Sequence, residues 1–390
     1  MSDRSSLHSV GRWVHRCAVL PLWMALSACG GASPSAGHEG AFPGPAERSK
    51  EAIRHTLVAS SDPAANFTQV TGLDVGSDGS IYVADWYQQK VTVLDPAGRV
   101  VRTIGRRGSG PGEFRSVRGV QVLPGDSLLV YDPNLARISV FAPGSSQPAY
   151  VTDLAAKLSG PPPFYARRTR ANDAYVVMFR PPFMFGTGQT GAVREDGVRV
   201  LGLDGTPQGE PLLTFPSKSF LVAGTSVMPN PFGREGFVSL DSRDRLHFLW
   251  NDSARVVTLD RSGQRVGGAS VPHQPPRVGE RDVEAELSAM NDQVRTMFER
   301  TLRDSAPDYW PAARELVVDD MNRIWIALNS GRNGPTEWVA VSPEGRYVGS
   351  TRIPSDVTVW AIKDTRIYGV GVDGMDAPAV KVLRLQRPLQ

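Results

Sequence analysis

The sequence predicts an all-β fold: a ring of six four-stranded antiparallel sheets with one helical insertion. Three observations predict it. The first is the stretch 70–114, in which short apolar runs at 73–75, 81–84, 91–94 and 100–104 are separated by turn residues. Asp78-Gly79 is a strong short hairpin signal, and Asp95-Pro96-Ala97-Gly98 is a second turn. The second observation is recurrence. The run Ser80-Ile81-Tyr82-Val83 returns with its apolar anchor at 128, 175, 246, 324 and 367, at separations of 47, 47, 71, 78 and 43 residues. The third is closure. The last copy, 358–385, holds three runs only, while 53–58 supplies a lone strand ahead of the first copy. Giving that strand to the last sheet as its outer edge leaves no open end, as in a six-bladed β-propeller.

The first copy resembles an NHL-type repeat. The residues are Gly72-Leu73-Asp74-Val75, Asp78-Gly79, Ile81-Tyr82-Val83-Ala84-Asp85, Val91-Thr92-Val93-Leu94-Asp95 and the linker Gly108-Ser109-Gly110-Pro111-Gly112-Glu113-Phe114. The likeness is close over 72–141 and fades after it. It implies the fold; propellers host binding proteins and enzymes alike. Asp85 and Asp132, each followed five residues on by Lys90 and Arg137, are similar to the Asp-to-base pairs at NHL loop ends. Such carboxylates are expected to cap turn amides and pair with the base.

The chain start reads as an address. Arg4, Arg12 and Arg16 precede an apolar run of twelve, 17–28, too short to span a bilayer comfortably. Leu26-Ser27-Ala28-Cys29 resembles the lipobox of bacterial lipoproteins, which implies acylation at Cys29, a membrane anchor and a place in the cell envelope. Gly30 in place of Asp implies, by the same resemblance, no retention at the inner membrane. The expected organisation is a signal at 1–28, a Gly/Ala/Pro/Ser tether at 29–48 and a propeller at 49–390. Cys17 falls in the signal, so no intrachain disulfide is available and the core must hold the domain. Without the signal, 40 basic residues face 39 acidic ones, which gives no case for nucleic acid.

Strand parity indicates a working face. Connections from first to second and third to fourth strand are short; the long ones, near 153–170, 180–196, 216–234, 271–313 and 329–337, all share the other parity. Long loops are commonly functional. The insertion 271–313 carries a helix over about 276–307, with Val283, Leu287, Met290, Val294, Met297 and Leu302 as its apolar stripe. That helix either packs across the face or serves as a mobile lid or docking element. Arg167, Arg168 and Arg170 form either a solvated cluster or an anion site. Aromatic and basic residues assigned to the face are Trp86, Tyr87, Arg180, Phe183, Phe185, Trp250, Trp310 and Trp338. They suit a protein, peptide or carbohydrate ligand.

Catalytic signals are few. The histidines of the domain and tether, His38, His55, His247 and His273, have no metal-ligand spacing, and there is no nucleophile elbow, P-loop or dinucleotide fingerprint. The leading expectation is a binding propeller without cofactor or catalysis. The alternative is a gluconolactonase-like hydrolase or a lyase, with a divalent cation such as Ca2+ held in the channel by residues such as Asp74, Asp319, Asp320, Asn251 and Asn329.

Overall fold

The computed structural model describes residues 42–158, 160–181, 194–332 and 334–389. Six four-stranded antiparallel sheets follow the predicted recurrence. The innermost strands, in blade order, are Val70–Val75, Gly119–Val122, Tyr165–Arg168, Gly236–Leu240, Ala313–Val318 and Thr358–Lys363. The second strand of a blade is the most enclosed. Ile81–Asp85, Leu128–Asp132 and Ile324–Leu328 are buried along their whole length. Neighbouring blades cover both faces of such a strand, so it reads as a continuous apolar run rather than an alternating one. The outermost strand faces water, as Val100–Ile104 does over most of its length.

The core is not one centre but a ring. A separate buried cluster sits at each of the six blade interfaces: one to two around Phe114 and Phe141, two to three around Tyr131 and Tyr175, three to four around Phe215, four to five around Val339, five to six around Trp325 and Trp338, and six to one around Leu73 and Tyr368. Such a ring fails at its weakest seam, so closure matters. His55–Ser60 pairs antiparallel with Pro378–Leu385, placing His55 opposite Leu385 and Ser60 opposite Lys381. The early strand does close the sixth blade, two residues later than the apolar run suggested. Ile53 is instead buried in the interface of blades five and six, and its amide donates to the Ser350 carbonyl.

The docked part of the chain begins earlier than composition implied. From Phe42 onward the chain is docked: Phe42 lies edge-on to Tyr347 at 5.4 Å, and helix α1, Pro45–Glu51, buries Arg48 completely. Arg48 donates to Glu337 Oε1 at 2.9 Å and to the carbonyls of Pro43 and Pro272. A stretch with no apolar periodicity is thus held by one buried charged side chain together with the Phe42 ring.

The short turns share a conformation. Gly79, Asp126, Asn172, Asp244, Asn322 and Asp364, one per blade between first and second strand, all have φ between 56° and 83°. Gly, Asn and Asp are the residues that enter the left-handed region at least cost. Their neighbours latch adjacent blades. The Ser77 amide donates to Asp126, the amides of Arg170 and Ala171 to Asp244, Ser242 to Asn322, and Asp364 to Asp320.

Candidate binding face and channel

The sheet order confirms the parity argument: every long connection leaves from the end of a second or fourth strand, and all lie on one face of the ring. Two additions are built there. Between blades three and four, Phe220–Ala223 and Ser226–Pro229 form a hairpin. Between blades four and five lie two helices, α2 (Glu280–Ser288) and α3 (Asp292–Ser305). The single expected helix is broken because Asn291 caps a new start, its side chain accepting from the Val294 amide at 3.0 Å. Rephasing puts Phe298 inward and leaves Met297 exposed. Leu221, Phe232, Val283, Leu287, Phe298, Leu302 and Trp310 make a seventh apolar cluster, so the helices pack on the hairpin and its flanks.

The predicted face residues separate into distinct environments. Phe183 and Phe185, like Cys29, lie outside the described residues. Trp338 does not belong to the face: it is 2% exposed, in the third strand of blade five, within the interface with blade six. Trp310 is also interior, edge-on to Phe232 at 4.9 Å inside the helical module. Trp250 is half-buried against the cluster of blades three and four. Arg180 binds Asp196 at 2.7 Å and stacks over Phe164 at 4.3 Å, a structural arrangement. Trp86 is half-buried, its indole donating to Ser116 Oγ at 2.8 Å, and Tyr87 beside it is 69% exposed. Sequence composition marks aromatics; it does not tell which side of a strand they take.

Asp85 and Asp132 behave as caps. Asp85 accepts from the amides of Thr68, Gln69 and Gln88, and Asp132 from those of Arg115, Ser116 and Leu135. The expected partner base of Asp132 is used elsewhere: Arg137 donates to the carbonyls of Ser109, Gly110 and Glu113, holding the Gly-Pro-Gly-Glu-Phe linker against the blade.

The channel walls come from the innermost strands and enclose a cavity of about 320 Å³. Its polar groups fall into two sets. At the turn-side end, Asp241 and Asp319 occupy equivalent places in blades four and five. Each accepts an Arg Nε at 2.6 Å, from Arg245 and Arg323, and a ring N–H, from His247 and Trp325 respectively. Burial works against ionisation of Asp241, yet the hydrogen bonds from His247 and Arg245 hold its carboxyl down to about 2. The repeat Asp-x3-Arg-x-His/Trp is legible in the sequence once these contacts are known.

Deeper in the channel, Arg167 of blade three donates through Nε to Tyr165 Oη at 2.8 Å, with Asp74 3.8 Å from its Nη1. Lys363 of blade six stands 3.8 Å from the other Asp74 oxygen. Arg168 is no solvated residue: it is buried between Tyr150 and Tyr175, at 5.4 and 5.8 Å, and only Arg170 of that trio is exposed. Glu315 of blade five, missed by the sequence reading, lines the same cavity. Burial pushes its carboxyl up to about 8, with Glu235 adding to the effect and Arg314 opposing it.

Among the described residues, no group of three His, Cys, Asp or Glu side chains is placed to hold a metal ion. The oxygen donors considered for a cation are engaged: Asn251 accepts from the Glu235 amide, Asn329 from Gly331, Asp319 from Arg323 and Trp325, Asp320 from Asp364, and Asp74 from Val75 and Val122.

Residues 68–157 match the domain family DUF5128, described as a 6-bladed beta-propeller. No curated protein matches the chain. Among solved structures, a Bacteroides fragilis protein provisionally described as exported aligns with a TM-score of 0.51 at 10% identity, over 87% of this chain and 96% of that one. A DUF4221 member from Bacteroides vulgatus gives 0.49 at 9%, over 86% and 99%. Virginiamycin B lyase from Staphylococcus aureus gives 0.43 at 9%, over 85% and 99%. At such identities the likeness is one of fold, and the fold of this chain is the six-bladed β-propeller.

Proposed function

We propose that this chain is a lipid-anchored propeller of the cell envelope, of NHL-like type, that presents its insertion-bearing face to a protein partner and carries out no reaction. The observation that carries this reading is the one-sided distribution of the additions. The hairpin, the helical module and every other long connection stand on one face, while the other has only tight turns. An apolar cluster of its own gives the module a fixed shape, as a recognition surface requires. Tyr87 adds an exposed aromatic ring of the kind that anchors interfaces, beside the half-buried Trp86. Support for the envelope comes from Leu26-Ser27-Ala28-Cys29 and from the Bacteroides fragilis relative described as exported.

The test compares two exposed positions on opposite faces. A photo-crosslinking side chain is placed at Tyr87, or at Met321, which is 63% exposed in the tight turn between the first and second strands of blade five. In intact cells the first should label one saturable species and the second should not. Equal labelling from both, or none from either, overturns the reading.

A further inference from the structure

We propose that the central channel is a binding site for a small organic carboxylate, held between the Arg167 guanidinium and the Glu315 carboxyl. The two residues line one cavity of about 320 Å³, within the size range of small-molecule sites. Among the described residues, neither Nη of Arg167 has an acceptor at hydrogen-bonding distance, since Nε alone is used, by Tyr165, and Asp74 stands back at 3.8 Å. Glu315 has no hydrogen-bond partner among them either. Two half-buried polar groups thus line the same space with hydrogen-bonding capacity unspent and open to a ligand.

The unspent Nη groups of Arg167 favour an anion: Asp74 stands back at 3.8 Å, and Lys363 lies between Asp74 and Asp126. The wall carboxylates Asp241 and Asp319 are neutralised by their own arginines. Asp244 and Asp320, at the turn-side rim, cap backbone amides. Glu315 is flanked by Arg314 in its own strand and by Glu235 of blade four, whose charge is matched by Lys218 at 3.0 Å; Tyr165 and Arg167 line the same cavity. Glu315 is half-buried, and its raised carboxyl favours donation to a ligand oxygen, whereas an ammonium ligand would favour the ionised form. Phe237, Trp360 and Val317 on the wall favour a carboxylate with an apolar body over inorganic phosphate.

Calorimetric titration of the purified full chain tests this with butyrate, benzoate, inorganic phosphate and butylamine at pH 6.5 and 9.5. At least one of the two carboxylates should bind at pH 6.5, and its affinity should fall about thirty-fold at pH 9.5 as the protonated fraction of Glu315 falls. Glu315→Gln retains a neutral donor, so it should bind at both pH values. Arg167→Gln should lose binding while keeping its melting temperature. Failure of both carboxylates to saturate below about 10 mM, some 2.7 kcal/mol of binding, overturns the proposal. So does tighter binding of butylamine or phosphate, or abolition of binding by Glu315→Gln. The channel residues are distinct from the docking face, so failure of one reading leaves the other standing.

Discussion

Arg48 Nε donates to Glu337 Oε1 at 2.9 Å, joining a helix near the start of the domain to the third strand of blade five across 289 residues of sequence. The guanidinium is fully enclosed, and its Nη1 also bonds the Pro43 and Pro272 carbonyls. Removing one partner of a buried pair leaves the other charge stranded, at about 3–5 kcal/mol. Arg48→Ala should therefore lower stability by about 3 kcal/mol, since Glu337 keeps some water. Chemical denaturation checks this, and an unchanged midpoint would mean that α1 is an ornament on the rim.

Asp241 and Glu315 should give stability profiles of opposite sign. The Asp241 carboxyl lies below its ordinary value, so its contribution is full above about pH 4 and is lost as pH falls toward 2. It is worth roughly 2 kcal/mol, and Asp241→Asn should differ from the parent at pH 6 and converge with it near pH 2. Urea titrations across that range read the convergence.

Glu315 lies above its ordinary value, so the folded state binds its proton more tightly than the unfolded chain. Stability then falls as pH rises from about 4.5 to 8 and levels off beyond. Glu315→Gln removes that slope. The variant should gain on the parent by a few kcal/mol between pH 5 and 8, and parallel curves would show that the carboxyl is solvated.

Trp338 and Tyr87 separate core from surface. Trp338→Ala opens a cavity at the interface of blades five and six and should cost about 3–5 kcal/mol. Tyr87→Ala removes an exposed ring and should leave the melting temperature within a degree or two while making the protein a poorer competitor of labelling through a crosslinker at position 87. A large loss of stability from Tyr87→Ala would remove it from the docking surface.

Cys29→Ser should abolish acylation and move the protein from the membrane fraction to the soluble fraction. Each buried methylene of an acyl chain contributes about 0.8 kcal/mol to anchoring. Detergent-dependent sedimentation of the variant, equal to that of the parent, would refute the lipobox reading.

Residues alone determined the number of blades, the closure by an early strand and the face that carries the additions. The physical reason is local. A second strand covered on both sides must be apolar throughout, as 81–84 and 324–328 are, and a tight turn needs Gly, Asn or Asp at its left-handed position, as at Gly79 and Asn322. The break at Asn291 was equally local, an N-cap inside an apolar stripe that periodicity overran. Tertiary structure alone decided the rest: that Trp338 faces a neighbouring blade and Tyr87 faces water, that Arg168 lies between two tyrosines, and that Arg48 is interior. It also decided that Glu315 and Arg167 line one cavity. A side chain's solvation and charge state depend on what other blades place beside it, and that neighbourhood exists only once the ring has closed.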